Sequence, residues 1–328
     1  MTTDNSVKAL LPDFERACAL AAGACLPWVG QGDKEAADAA AVDAMRTAFN
    51  ATPMHGRIVI GEGERDQAPM LYIGETLGNG PRLASTPEVD IAVDPLEGTT
   101  LCAQNRPGAL CVAAFAPRGE LLHAPDVYMQ KIAARPGLDL RADDLDRPLD
   151  EVLARLQGQA GRPLRVIMLD RDRHRPLMTA VEAAGASLSL ILDGDVMGAL
   201  LTALPGAVAS GSPRFDLYVG SGSPRFDLYV GSGGAPEGVL AAAGLQALGG
   251  SMFGRLIFRD GDERERAARI GLGPAEQGQI FALSDLASGH AHLVLAGVTG
   301  DVLDGATTAG AQVLSLGAGV CRLQHCRF

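Results

Sequence analysis

Four short stretches set carboxylates where an α/β chain displays ligands. In residues 90–100, DIAVDPLEGTT, the apolar run Ile91-Ala92-Val93 ends in Asp94, and Glu97 follows three residues later, ahead of Gly98, Thr99 and Thr100. Strand ends of this kind are where α/β folds bind their ligands. Pro95 fixes one dihedral of the turn, Gly98 permits close backbone approach, and a helix starting here points its first amides at an anion. In IVIGEGERDQAP (58–69) a strand-like run ends in Gly61, with Glu62, Glu64 and Asp66 close behind. In GDKEAADAAAVDAMRTAFN (32–50) the stripe Val42, Met45, Phe49 extends back four residues to Asp38 and one turn further to Lys34, so both polar residues share the face that should be buried. The fourth stretch, GSGGAPEG (231–238), is a glycine-rich turn carrying Glu237.

Taken singly, each has a plain structural reading. An acidic loop is usually a solvated surface, and Lys34 with Asp38 reads equally as an i,i+4 ion pair on an exposed first turn. No stretch carries GxGxxG or the GK[ST] ending of a nucleotide-phosphate loop. Four such acidic sites in one chain suggest a shared purpose, and carboxylates without matching His or Cys ligands favour hard cations, Mg²⁺ or Mn²⁺, over zinc. His290-Ala-His292 and CRLQHC (321–326) lack the spacing of zinc ligands. The chemistry indicated is metal-assisted phosphoryl transfer.

The elements that must position these residues follow an α/β pattern. Strands are expected at 57–61, 90–94, 109–116, 164–169, 188–192, 226–230, 279–283 and 293–297, and helices at 12–26, 34–50, 148–158, 175–184, 238–247 and 262–269. The Pro/Gly/Asp-rich passage 135–150 is the expected boundary between an N-terminal half, 1–150, and a C-terminal half, 151–328. A chain of 328 residues, 47% hydrophobic and 20% charged, can bury a substantial core. The net charge of −11 disfavours nucleic acid or an anionic membrane as partner. Six irregularly spaced cysteines read as reduced thiols, the N-terminus lacks a signal-peptide pattern, and the uncharged run 196–213 is broken by Pro205. A cytoplasmic protein is therefore expected.

GDKEAADAAAVDAMR, IVIGEGERDQAPMLYIGE, VDIAVDPLEGTT, APDVYMQK, DGDV and GSGGAPEGV occur in this order, from about Phe14 to beyond residue 300. Together they closely resemble the class II fructose-1,6-bisphosphatases, some of which also take sedoheptulose 1,7-bisphosphate. The DPxEGT element alone is shared more widely, with inositol monophosphatase-like and other lithium-sensitive phosphatases. The resemblance implies a layered α-β-α-β-α sandwich, a divalent metal and a homodimer or homotetramer. It also implies that Asp38, Glu62, Asp94, Glu97 and Glu237 are metal ligands and that Thr99 positions the attacking water. Lys34 and Asp66 fall at catalytic positions beside the metals. Gly98, Thr99 and Tyr128 match substrate contacts, Asp193 and Asp195 match residues that bind sugar hydroxyls, and Arg171 and Arg173 match those that grip the distal phosphate. Arg171 departs from the family's usual Lys, replacing a point donor with a planar fork. The rival readings are an inositol-phosphate or nucleotide phosphatase of the same superfamily, and an inactive sugar-phosphate-binding regulator.

Residues 210–220, SGSPRFDLYVG, recur identically at 221–231, too short a unit for a solenoid, whose periods run from roughly 20 to 50 residues. Only the second copy leads directly into Glu237, so Phe226–Val230 is expected in the core sheet and the first copy in a loop or edge hairpin. Such a copy exposes Phe215, Leu217 and Tyr218 as an uncovered apolar edge that invites association. Deleting 210–220 should preserve or improve solubility and leave metal-dependent phosphate release within a few-fold of the parent. Loss of folding or activity in that deletion assigns the first copy a structural role.

Overall fold

The computed structural model describes residues 3–62, 70–81, 83, 85–205 and 225–328, with side chains from Ser6 onward. After a short α1 (Thr3–Lys8), Pro12 opens α2 (Leu11–Cys25) from its first turn. Helix α3 (Lys34–Asn50) starts where the Asp33 carboxylate accepts from the Ala36 amide at 2.9 Å, satisfying one of the helix's free donors. Its buried stripe is Ala37, Ala41, Val42, Met45 and Phe49, as the sequence pattern predicts.

Strands β1 (His55–Ile60), β2 (Thr76–Leu77), β3 (Glu88–Glu97) and β4 (Leu110–Pro117) form one sheet with β11 (His292–Gly297), β12 (Ala311–Gly317) and β13 (Val320–Cys326), in the order β13-β12-β11-β4-β3-β1-β2. A second sheet, β10-β9-β5-β8-β6-β7, is made from β5 (Tyr128–Ala134), β6 (Arg165–Leu169), β7 (Ser187–Ile191), β8 (Leu228–Gly234), β9 (Ser251–Ile257) and β10 (Phe281–Ala282). Both are mixed: β1 runs parallel to β3, and β6 parallel to β7 and β8, while the other pairs are antiparallel. Among the described residues no helix is long and apolar enough to cross a membrane.

Period-2 alternation assigns the two faces of the first sheet. Ile91, Val93, Cys111, Ala113 and Phe115 join the core built with α2 and α3, whereas Ala92, Val112 and Ala114 turn to the core on the other side. Phe14 stacks on Phe115 at 3.9 Å between ring centroids and meets Phe49 at 4.8 Å. Each of these fully buried rings contributes about 2–3 kcal/mol through the area it removes from water. Helix α4 (Thr99–Ala103) follows β3 directly. Helices α5 (Leu149–Ala160) and α6 (Arg175–Ala183) supply a third core with β6 through Val152, Leu153, Leu156 and Val181. Helix α7 (Asp195–Leu200) packs on α8 (Ala235–Leu248), which touches β3, β4, β11 and β12 of the first sheet and β5, β8 and β9 of the second. The apolar side chains of α8 run round its whole circumference, as a helix with strands on both sides requires.

The expected elements are present, with shifted ends. The region expected as a strand at 279–283 pairs only over Phe281–Ala282 before a helical turn begins, and α8 starts at Ala235 rather than at 238. Strands β2, β5, β9, β12 and β13 and the short helices α4 and α7 are additions. In the second copy of the repeat, Phe226 is buried and Leu228–Val230 opens β8. The first copy lies outside the described residues.

Candidate active site

Strand β3 delivers Asp94 and Glu97 to its C-terminal end, and the chain then turns through Gly98 at φ 82°, ψ 45° into α4. That left-handed conformation strains a residue with a Cβ, and a Cβ here would also meet Leu101 Cδ1 at 3.1 Å. Thr99 is the first residue of α4 and half-buried. Glu97 is 4% exposed; its Oε1 accepts from the Val196 amide at 3.1 Å, while its Oε2 is buried without a hydrogen bond. From the second sheet, β8 runs into α8, whose first turn carries Glu237, and the Oε2 of Glu237 is likewise buried without a hydrogen bond. A Cβ on Gly234 would lie 1.9 Å from that oxygen, so the carboxylate rests directly against glycine backbone.

Glu62, Asp94 and Glu237 line one cavity of about 220 Å³ with Asp126, walled by Ile60, Val93 and Leu240. Asp38, half-buried on α3, lies close enough to Glu62 for the two carboxyls to act on each other. Burial, then the charge of Asp38, pushes Glu62 up to about 7. Burial, then Asp195, pushes Glu237 up to about 7, against a downward pull from Lys131. Asp94 is driven well above the carboxylate range by burial and by Glu237, Glu62 and Asp38; Glu97 is driven up by burial, Asp94 and Asp195. Acids this close oppose one another's ionisation unless a cation stands among them. Among the described residues no group of three or more His, Cys, Asp or Glu side chains is drawn into a metal-ligand set. The chemistry of the donors nonetheless fits a hard divalent ion: all are carboxylates, and two present buried oxygens that no protein donor satisfies.

Lys34 stands exposed at the start of α3, one turn from Asp38. Asp66 lies outside the described residues. Around Tyr128, the Arg173 guanidinium sits 5.0 Å from the ring centroid and that of Arg259 5.4 Å. Arg173 also donates to Ser232 Oγ at 2.9 Å and to the Ser232 carbonyl at 2.5 Å. Arg171 donates to the Leu192 carbonyl at 2.6 Å and pairs with Asp193 at 3.6 Å. Beneath them His174 is buried and its pKa lowered, chiefly by burial. Its Nε2 accepts from the Ser232 amide at 2.9 Å, and its Nδ1 lies 2.9 Å from the Leu169 carbonyl and donates to it. Asp195 points inward, 6% exposed, to Lys131 Nζ at 2.5 Å. Sequence reasoning passed over Lys131, Asp126 and Arg259. Asp126 and Lys131 flank Tyr128 in APDVYMQK, a motif quoted for Tyr128 alone, while no pattern singles out Arg259.

Residues 8–318 match the family described as bacterial fructose-1,6-bisphosphatase, glpX-encoded. The chain is 39% identical over 313 residues to fructose-1,6-bisphosphatase 1 class 2 of Escherichia coli K12, covering 91% of this chain and 87% of that protein. It is 39% identical over 281 residues to the D-fructose 1,6-bisphosphatase class 2/sedoheptulose 1,7-bisphosphatase of Synechococcus sp. strain CC9311, covering 82% and 78%. Against the protein of the same name from Thermosynechococcus vestitus the identity is 39% over 305 residues, covering 86% and 83%.

The raised carboxyls set a pH dependence. Glu62 and Glu237 sit at about 7 in the fold against an ordinary 4.5, so the folded chain binds more protons than the unfolded one between those values. Their contribution to stability is present at low pH and lost as pH rises through 7. Asp94 and Glu97 act in the same direction. The half-buried His123 and the buried His174, with lowered pKa, act in the opposite direction, but only below about 6.5, where unfolded histidine takes up protons. In a chelator the melting temperature should therefore fall between pH 6.5 and 8, and millimolar Mn²⁺ should raise it most at pH 8. A metal-free melting temperature that climbs over that interval contradicts the clustering.

Proposed function

The chain belongs to the glpX-encoded bacterial fructose-1,6-bisphosphatases, the class 2 enzymes, and from that premise we propose that its acidic site hydrolyses the 1-phosphate of fructose 1,6-bisphosphate to fructose 6-phosphate and phosphate. The observation that carries this assignment to a particular place is the pair of buried, unsatisfied oxygens on Glu97 and Glu237, which reach the same acidic cluster from different sheets. Asp38, Glu62, Asp94, Glu97 and Glu237 would hold Mg²⁺ or Mn²⁺. When bound, such ions polarise phosphoryl oxygens, acidify water and offset charge on the leaving oxygen. Thr99 orients the attacking water, Lys34 and Asp66 complete its surroundings, and the Gly98–Thr99 turn aims backbone dipoles at the phosphoryl group. Asp193 and Asp195 receive sugar hydroxyls, while Arg171 and Arg173 hold the distal phosphate beside Tyr128. Energy from that remote group orients the reacting one.

On this reading residues 1–150 supply most metal ligands, and 151–328 supply the sugar contacts and Glu237. The architecture is the α-β-α-β-α sandwich, supported by α2 and α3 on one sheet, α5 and α6 with the other, and α8 touching both. A cytoplasmic homodimer or homotetramer that also takes sedoheptulose 1,7-bisphosphate completes the proposal; the Synechococcus relative's name includes that second activity.

The deciding assay is phosphate release from fructose 1,6-bisphosphate with and without Mn²⁺, beside inositol 1-phosphate and adenosine 3′,5′-bisphosphate. Metal-dependent release from the sugar bisphosphate above both others is expected. Asp94→Asn and Glu97→Gln preserve size and remove charge, so each should lower kcat by at least about 10²-fold. Near-parent turnover in either variant at saturating metal sinks the ligand assignment. Arg173→Ala should act on KM far more than on kcat, because it touches a non-reacting group. A fall in kcat with KM unchanged reverses the substrate's orientation.

A further inference from the structure

One cation lies inside the acidic layer. Lys131 on β5 is 1% exposed, and its Nζ donates to Asp195 Oδ2 at 2.5 Å and to the Gly234 carbonyl at 2.8 Å. The surrounding backbone is cleared for it. Lys131 pairs with Gly231 on β8 and Gly254 on β9. A Cβ on Gly233 would come within 3.2 Å of Nζ and 1.9 Å of Asp195 Oδ2, and one on Gly238 within 3.4 Å of Lys131 Cδ. The glycines of GSGGAPEG, which do not form a phosphate loop, thus make room for an ammonium group and its carboxylate.

A buried ion pair is a poor source of stability, because desolvation offsets most of its attraction. What Lys131 supplies is geometry. Asp195 is the first residue of α7, and the next amide, Val196, donates to Glu97. Gly234 is the last residue before α8, whose first turn presents Glu237. One ammonium group therefore ties the start of the helix that steadies Glu97 to the start of the helix that carries Glu237.

We propose that Lys131 is the positioning residue of this site, holding Asp195 and the N-terminus of α8 so that Glu97 and Glu237 converge on one cation. The inference rests on the metal-site reading above, and its test reads Mn²⁺ binding directly, by electron paramagnetic resonance titration, apart from turnover. Lys131→Met should melt cooperatively yet bind Mn²⁺ at least about 10-fold more weakly, the usual cost of losing a group that orients a metal ligand. It should also raise KM for fructose 1,6-bisphosphate through Asp195. Lys131→Gln keeps N–H donors and should fall between Met and the parent, an order that a mere loss of packing does not produce. If Lys131→Met does not fold, the Lys131→Met/Asp195→Asn pair leaves no lone buried charge. It should bind Mn²⁺ at least about 10-fold more weakly than Asp195→Asn alone, because the tie to Gly234 is gone. Mn²⁺ affinity and KM within about 3-fold of the reference protein in either comparison overturn the proposal, a margin set by ordinary mutational scatter. A parent that binds no Mn²⁺ overturns it together with the metal assignment. A parent that binds Mn²⁺ without hydrolysing the sugar bisphosphate sinks only the activity.

Discussion

Like charges are held close together in this fold, and its elements have to bear that constraint. Asp38 comes from a helix, Glu62 and Asp94 from strand ends of the first sheet, and Glu237 from a helix that leaves the second. Left to themselves the side chains would separate or take up protons, as the raised carboxyls indicate. They stay because their backbones belong to elements anchored over long apolar faces. Helix α8 is the joint: apolar all round, it is fixed by contact with both sheets and cannot swing Glu237 away without opening the core it shares with them.

Glycine is the other side of that constraint. At Gly98 it allows the left-handed turn that follows Glu97. At Gly233 and Gly234 it gives space rather than conformational freedom, because two carboxylates lie where a Cβ would be. Spacing patterns describe which residues can face one another, but they do not reveal what a missing side chain makes room for. The turn at 231–238 therefore stands out in the sequence through Glu237, while its relation to Lys131 does not.

Much of the framework was legible for the reason that made it fold. Val42, Met45 and Phe49 repeat at helical spacing, and residues 34–50 form a helix with that stripe buried. Apolar runs such as 166–169 become strands because nothing polar interrupts them. The strands that escaped notice have mixed composition: Tyr128–Ala134 contains Gln130 and Lys131, Ser251–Ile257 contains Gly254 and Arg255, and Val320–Cys326 contains Arg322, Gln324 and His325 without strict alternation. Their pairing is decided by neighbouring strands rather than by intrinsic preference. The acids of the site were legible through motif order, each lying on or beside an element end. Lys131 was not, because a lysine within a strand ordinarily reads as solvated and its partners are 64 and 103 residues away.

The tandem repeat shows where local preference stops deciding, since its copies are identical and their propensities cannot differ. What separates them is what each can reach. Asp227 of the second copy is fully buried and meets Arg135 at 3.0 Å, Arg162 at 2.7 Å and Arg165 at 3.1 Å, and it also accepts from the Arg165 amide at 2.8 Å. Burial alone would raise its pKa, but hydrogen bonds from Arg162 and Arg165 outweigh that and hold the carboxyl well below its ordinary range. A carboxylate satisfied by three guanidinium groups and an amide is a specific niche, and one aspartate fills it. With Asp227 seated there, Leu228 starts the strand, Ser232 meets His174, and the Gly234 carbonyl arrives at the Lys131 ammonium. Register at Glu237 is thus set ten residues earlier, by charge pairing at the opposite end of the same strand.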